Sequence, residues 1–222
     1  MLPPKRLGIF FVFAGMLYAA FMVPWLPIEE SYAKLYRGTC NVVFARFWFW
    51  SDGGVRFLNI KTLKPGDLPP GAPTFYASRM RDTLMELRSR RAPGSIGFLR
   101  TSSRYIGYSP TVLVLALVLA TPLPWRRRSW ALLWSFLAVN AFILFRITLT
   151  LAAKGFGADK NYALFELGSL ARGALTSAEN IISDNPTVSY VVPALIWFIF
   201  AFRQVLWPKT TPEATASQET SA

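Results

Sequence analysis

Four apolar runs, each close to membrane-spanning length, constrain the fold of this chain more than any other feature. A helix needs about 20 apolar residues to cross a hydrocarbon core of about 30 Å. The third run is unbroken, whereas the fourth carries Pro193, which membrane helices tolerate because neighbouring groups satisfy the freed carbonyl. The pattern predicts an α-helical integral membrane protein with about four transmembrane helices. The runs are 7–27, 105–125, 129–152 and 187–207.

Two of these runs leave an alternative open. The first follows Lys5 and Arg6, so it shares a basic start and an apolar core with signal peptides. Its length and the lack of a small-x-small cleavage site favour an uncleaved transmembrane anchor at 1–27. The second run ends in a proline-rich stretch and is also compatible with a re-entrant hairpin. Taken with the third run, it predicts a transmembrane helical hairpin at 105–152.

The basic residues of the short segments predict an orientation. Lys5 and Arg6, the triplet 126–128, and Arg203 with Lys209 all fall on one side of a four-span protein. Short cytoplasmic segments carry an excess of Lys and Arg. We therefore expect both termini on the cytoplasmic side of the inner membrane, with the segments 28–104 and 153–186 outside.

The outer segment 28–104 has the sequence features of a small β-rich cap. Two candidate hairpins are 44–50 with 55–60, joined by Ser51 to Gly54, and 80–90 with 96–105. Trp48 and Trp50 belong to the first hairpin and are candidate binding residues. Core packing beneath the cap is the alternative, because burial is the commoner fate of clustered aromatics.

The C-terminal part of the chain divides into three segments. The outer segment 153–186 spaces its apolar residues as a helix does, which predicts an interfacial helix. The segment 187–209 is the last transmembrane helix. The tail 210–222 holds Thr, Ser, Ala, Glu and Gln without a large apolar residue, which predicts disorder.

Composition excludes several kinds of site. The chain has no histidine and one cysteine, so neither an intramolecular disulfide nor a Cys/His zinc site can form. No cofactor-binding motif is present, and we expect neither a cofactor nor a metal. The net charge is +12, and the outer segment 28–109 carries thirteen Lys and Arg against six Asp and Glu. This excess suggests an acidic neighbour such as lipid head groups or an anionic envelope polymer, with a solvated basic face as the alternative. We expect membrane lipid and other membrane or envelope proteins as partners, and no nucleic acid, because these basic residues lie outside in the predicted topology.

Arg146 is the principal candidate functional residue. It lies in an apolar span, where an ionisable group is costly and usually functional. Its depth of roughly 9 Å also allows the guanidinium to extend to the membrane surface. In the functional alternative Asn140 accompanies it, and Asp159 or Glu166 is its partner.

Cys40 is the only candidate nucleophile of the cysteine type. A reactive cysteine needs a base or a cationic neighbour to hold it as a thiolate. Without histidine, only Arg or Lys could do so, and a buried structural role is the usual fate of an unpaired cysteine. We therefore expect Cys40 to be dispensable.

One stretch of the chain resembles a known family. Gly107-Tyr108-Ser109-Pro110, the turn Ala120-Thr121-Pro122-Leu123-Pro124-Trp125 followed by three arginines, and Asn140 through Phe145-Arg146-Ile147 are similar to the exosortase and archaeosortase family. The resemblance implies a membrane-embedded transpeptidase scaffold in which Arg146 corresponds to the family arginine. Cys40 precedes the similar region and lacks the family's Ala-Cys-Ser-Gly type of setting. No histidine matches the family histidine.

These features predict a non-enzymatic membrane scaffold or accessory subunit that binds a partner through its outer cap. The enzyme alternative is an exosortase-like cysteine transpeptidase that uses Cys40 and Arg146. The third alternative is a small transporter subunit, for which one intramembrane charge gives little of a substrate path.

Overall fold

The computed structural model describes residues 4–23, 25–45, 55–59, 83–88, 96–154, 168–183 and 185–203. Most of these residues are helical, and a small antiparallel sheet lies between the second and third helices along the chain. The helices are α1 Pro4–Met22, α2 Trp25–Ala45, α3 Ser109–Ala120, α4 Trp125–Lys154, α5 Ser169–Ile182 and α6 Val188–Trp197. A first π-helical segment, Ser103–Tyr108, leads into α3, and a second, Phe198–Phe202, continues α6.

Helix α3 lies at the centre of the helical bundle. It packs against α1, α4 and α6. Its residues are apolar on all sides, which is the pattern of a helix surrounded by others. Val114, Ala116 and Val118 are fully buried. The sequence SPTVLVLALVLA therefore forms the core of the bundle because no face of it favours water.

Prolines set the ends of the helices. Helix α1 ends at Met22, two residues before Pro24, because the residue before a proline is disfavoured in the α conformation. Helix α3 stops at Thr121, whose backbone is extended ahead of Pro122. Helix α4 starts directly after Pro124. The turn 121–124 makes α3 and α4 an antiparallel hairpin, as the sequence predicts for these spans.

The sheet contains three strands in the order β1-β2-β3. These are Val55–Asn59, Thr83–Arg88 and Ile96–Thr101, and both pairings are antiparallel. The hairpin predicted between 80–90 and 96–105 is confirmed by the β2–β3 pair. In register, Glu86 lies opposite Arg56 on one side and Phe98 on the other.

The first predicted hairpin can be compared with the structure only at its two ends. Phe44 belongs to helix α2, and β1 pairs with β2 through Arg56 and Glu86. Residues 46–54, which include the predicted turn, lie outside the described residues. The β-branched and aromatic end of α2 favours a strand by propensity, but such preferences are weak beside tertiary packing.

Helix α2 is the main addition to the predicted fold. It occupies the start of the segment expected to be β-rich. Its buried residues recur at helical spacing, which is why packing selects the helix. They are Ala33, Tyr36, Cys40 and Phe44. Phe44 stacks on Phe57 of β1, with 5.6 Å between ring centroids, so the helix covers the edge of the sheet.

Among the described residues, two helices are long and apolar enough to cross a membrane. They are Ser103–Ala120, where the first π-helical segment continues into α3, and Trp125–Ala153 of α4. The apolar parts of α1 and of α6 with its π-helical extension, Leu7–Met22 and Val188–Phe202, are shorter. Helix α5 confirms the helix predicted within 153–186. The tail 210–222 lies outside the described residues.

The bundle has two chemically different ends. At the basic end, the start of α1 lies against the end of α6. Phe10 stacks on Trp197 there, with 5.3 Å between ring centroids and 14° between ring planes. At the cap end, α2, the sheet and the α5–α6 turn cover the bundle. There the Tyr108 hydroxyl donates to the carbonyl of Phe21 at 2.6 Å, which joins the start of α3 to the end of α1.

Candidate functional site

Arg146 is buried inside the cap end, with 4% of its surface exposed. Its Nη1 donates to the Ser189 hydroxyl at 2.6 Å, and its Nη2 donates to the Ser183 carbonyl at 2.7 Å. The guanidinium also lies 5.8 Å from the centre of the Phe142 ring. The side chain is therefore packed within protein, and it does not extend along α4 to the surface.

The partners of Arg146 come from the turn between α5 and α6. Ser183 directly follows α5, and its backbone N–H donates to the Glu179 carbonyl. Ser189 lies in the first turn of α6, and its hydroxyl is buried. The arginine thus ties α4 to two other helices with charge-assisted bonds, which are about twice as strong as neutral ones. The predicted partners Asp159 and Glu166 lie outside the described residues.

Asn140 does not join Arg146 in one site. Its side-chain amide donates to the Phe136 carbonyl at 2.8 Å, one turn back along α4. Six residues along a helix correspond to roughly 9 Å of rise and a rotation of about 120°. The two side chains therefore leave α4 at different heights and in different directions.

Cys40 lies on the buried face of α2, with 2% of its surface exposed. Burial raises the pKa of the Cys40 thiol to about 12, and a hydrogen bond with Tyr36 opposes this only in part. A thiol with that pKa is protonated at neutral pH, and the thiolate is the nucleophilic form. Its surroundings are those of a packing residue.

The outward face of α2 carries an open groove of about 680 Å³. Leu35 and Val42 are 66% and 57% exposed there, and an added Cβ at Gly38 would have no heavy atom within 4 Å. Residues 35, 38 and 42 follow the i, i+3, i+7 spacing with which one helix packs on another. Lys34 supplies a positive charge at the same groove. We call this face, defined by Lys34, Leu35, Gly38, Thr39 and Val42, the α2 groove.

Two predicted binding residues, Trp48 and Trp50, lie outside the described residues. Among the residues that the structure does describe, no group of three or more His, Cys, Asp and Glu side chains could hold a metal ion.

Sequence reasoning missed the contact between α2 and the first π-helical segment. Gly107 lies so close to α2 that an added Cβ would be 2.7 Å from the Tyr32 hydroxyl. The Tyr32 ring meets the Tyr108 ring edge-on at 5.1 Å. Burial raises the pKa of the Tyr32 phenol, and a hydrogen bond with Thr111 opposes that shift. The available signal in the sequence was the glycine between Tyr105 and Tyr108, because close approach of another segment is a common reason for glycine.

The sheet is joined to α2 by a pair of bonds that sequence reasoning also missed. The Asn41 amide donates to the Phe57 carbonyl at 3.1 Å, and the Phe57 N–H donates to the Asn41 Oδ1 at 2.8 Å. Asn41 therefore acts as a neighbouring strand would at the outer edge of β1. Satisfying an edge in this way protects it from pairing with another chain.

Comparison with protein-family models, with curated proteins and with solved structures finds no match.

Proposed function

We propose that the protein is an integral membrane protein with four spans, α1, α3, α4 and α6, and with the sheet and α2 forming an extracytoplasmic cap. The exposed surface of α4 supports this proposal. In the most apolar 18-residue stretch of α4 only 33% of the residues are buried, compared with 61% in the stretch that contains α3. Large apolar side chains cover its outer face, which suits lipid and not water. They are Trp130, Leu133, Trp134, Phe136, Leu137 and Phe145.

The two ends of the bundle support the orientation of this proposal. The exposed residues Arg126, Arg127 and Arg203 lie at the basic end, opposite the cap. Short cytoplasmic segments of membrane proteins are enriched in Lys and Arg. In the proposal the basic end faces the cytoplasm of the inner membrane, and the cap faces outward.

Within the membrane, we propose that the protein is a non-enzymatic scaffold or accessory subunit. Its α2 groove binds an amphipathic helix of another membrane or envelope protein. The single observation that carries the proposal is the exposure of Leu35 and Val42 on either side of the open position at Gly38. Two knobs flanking a hole match the surface of a partner helix, and Lys34 complements an acidic residue on it.

The catalytic alternative receives less support. An exosortase-like enzyme needs a reactive thiol beside an arginine. Cys40 is buried on α2 against β1, whereas Arg146 is bound to Ser183 and Ser189. Kinship with that family is proposed for the α3–α4 hairpin and the position of Arg146 alone. A transporter subunit is supported less still, because Arg146 is held by protein groups and does not line a water path.

The test compares two exposed leucines. The full-length protein carrying Leu35→Glu or Leu170→Glu is purified in a mild detergent from its native membrane, and the proteins that travel with it are quantified. Leu170 on α5 is 86% exposed, so both changes should fold. We expect Leu35→Glu to lose the partner at least tenfold, because a charge enters the centre of an apolar helix contact.

Three further outcomes complete this test. Photo-crosslinking from position 42 should trap the same protein that Leu35→Glu releases. Equal retention by the Leu35 and Leu170 variants would contradict binding at the α2 groove. Release of the protein from membranes by alkaline carbonate would contradict membrane insertion itself.

A further inference from the structure

The basic end of the bundle collects positive charge that no acidic side chain on the same helices can neutralise. Six basic residues belong to it by position in the fold. They are Lys5, Arg6, Arg126, Arg127, Arg128 and Arg203. The segments 4–23, 103–154 and 185–203, which form the four helices, contain no Asp or Glu. Arg126, Arg127 and Arg203 are exposed.

Tertiary contacts bring these basic segments together. The Trp197 indole N–H donates to the Thr121 hydroxyl at 2.8 Å, which holds the end of α6 against the α3–α4 turn. Phe10 stacks on the same indole, which brings the start of α1 to this place. Arg128 Nη2 donates to the Thr121 carbonyl at 3.2 Å. One indole thus positions three separate basic segments at one surface.

Arg128 and its two neighbours have different surroundings. Arg128 is partly buried and lies 5.9 Å from the centre of the Trp125 ring. Arg126 and Arg127, by contrast, are exposed. The arginine that stabilises the turn is therefore distinct from the pair that is available to a ligand.

Exposed tryptophans accompany these arginines. Trp125 is 71% exposed and Trp130 is 56% exposed, both within the first two turns of α4. Indoles favour the boundary between acyl chains and headgroups, because one part of the ring system is apolar and the N–H is polar. Their presence beside Arg126 and Arg127 indicates a surface at the depth of lipid phosphates.

We propose that the basic end binds the phosphate groups of anionic phospholipids in the leaflet that surrounds it, through Arg126 and Arg127. The inference rests on the proposed membrane insertion. It goes further by assigning a ligand class to an end of the molecule that the α2 groove does not involve. Charge complementarity selects the occupant: each Lys or Arg near an anionic leaflet adds about 1 kcal/mol, or roughly fivefold, to the attraction. Arginine side chains such as those of Arg126 and Arg127 can also form bidentate hydrogen bonds with phosphate.

The experiment measures which lipid lies beside the protein. Full-length protein is reconstituted in phosphatidylcholine vesicles that contain phosphatidylglycerol, with either lipid brominated so that it quenches nearby tryptophan fluorescence. We expect brominated phosphatidylglycerol to quench several-fold more than its mole fraction predicts. The double variant Arg126→Gln with Arg127→Gln should abolish that preference, and high salt should weaken it in the original protein.

A matched control and three opposing outcomes make the test decisive. Arg172 is an exposed arginine on α5, at the opposite end, and Arg172→Gln should keep the full preference. Equal quenching by both brominated lipids, or loss of the preference in Arg172→Gln alone, would overturn the inference. Displacement of phosphatidylglycerol from the protein by added single-stranded RNA would also overturn it, because the surface would then be assigned to nucleic acid. A protein that enters phosphatidylcholine vesicles without headgroup preference contradicts only this inference, whereas failure to enter any vesicle contradicts the membrane proposal.

Discussion

The two ends of the bundle use arginine in opposite ways. At the basic end, Arg126 and Arg127 are exposed, and α6 is joined to the α3–α4 turn by the neutral bond between Trp197 and Thr121. At the cap end, Arg146 is buried and itself joins α4 to Ser183 and Ser189 at the α5–α6 turn. The difference shows that an arginine in or beside an apolar span has no fixed role: its role follows from the acceptors that tertiary structure places within reach.

The comparison also separates what each end can tolerate. Replacing one partner of a neutral hydrogen bond leaves a single buried polar group unsatisfied, whereas replacing a buried arginine removes two charge-assisted bonds at once. We therefore expect the cap end to be the more sensitive of the two. The predictions below compare substitutions at both ends, with the largest expected effect first.

The largest effect is expected at Arg146. Arg146→Leu should lower the free energy of unfolding by about 3 kcal/mol, because the Ser183 carbonyl and the Ser189 hydroxyl lose a charged donor. Arg146→Lys should lose roughly half as much, since an ammonium cannot reproduce the planar donor pair. Thermal unfolding in detergent measures both changes. The exposed Arg172→Leu should stay within about 0.5 kcal/mol of the original protein.

A silent Arg146→Leu would contradict the comparison itself. It would mean that the two bonds of Arg146 contribute no more than its apolar packing. The cap end would then be held by the contacts of α2 and the sheet.

The second effect is expected at Gly107, also at the cap end. Gly107→Ala should destabilise the protein by about 1–3 kcal/mol, because overpacking a close contact forces its neighbours apart. The added methyl would lie 2.7 Å from the Tyr32 hydroxyl and 3.2 Å from Cδ2 of Tyr36. Adding Tyr32→Phe should recover part of the loss by removing that hydroxyl.

A glycine with free space provides the control for Gly107. An added Cβ at Gly173 in α5 would meet no heavy atom within 4 Å. Gly173→Ala should therefore stabilise the protein by up to about 1 kcal/mol through helix propensity. Equal responses at both glycines, measured by thermal unfolding, would contradict a close contact at Gly107.

The third effect tests the basic end. Thr121→Val keeps the shape of the side chain and leaves the buried Trp197 N–H without its acceptor, so we expect a loss of about 1–2 kcal/mol. Thr148→Val is the control, because the Thr148 hydroxyl donates to the Leu144 carbonyl of its own helix. A loss at Thr121 larger than that of Arg146→Leu would reverse the proposed ranking of the two ends.

The smallest effect is expected at Cys40. Cys40→Ala should cost about 1 kcal/mol or less and should leave partner retention unchanged, because a buried thiol contributes packing. Thiol reagents should not modify Cys40 at neutral pH until the protein is unfolded. Loss of partner retention at normal abundance would restore the catalytic alternative.

The raised pKa of Cys40 adds a pH dependence with a definite sign. The unfolded chain releases the thiol proton near pH 8.5, well below the value in the folded protein. The thiol therefore contributes its full stability below about pH 8.5 and loses it as the pH rises toward about 12. Across this pH range, the free energy of unfolding should fall more steeply with pH for the original protein than for Cys40→Ala.

The sequence by itself determined the apolar helices and the turn between α3 and α4. The runs that became α1, α3, α4 and α6 were visible because helices of this length need many consecutive apolar residues. The prolines at 122 and 124 mark the turn between α3 and α4, since proline restricts the residue before it, whereas the first run was predicted to reach residue 27 and α1 ends at Met22. The β2–β3 pair was visible from the turn residues Pro93 and Gly94 between its two segments. Arg146 stood out because it is the one charge within its span.

Only the tertiary structure decided the rest. The end of α2 has strand propensity, yet it is a helix, because its face of Tyr36, Cys40 and Phe44 packs on β1 and on the first π-helical segment. The partners of Arg146 lie 37 and 43 residues away along the chain, at a distance that periodicity does not report. Local pattern records which side chains avoid water. Which polar groups come into contact in the folded protein depends on how the helices pack.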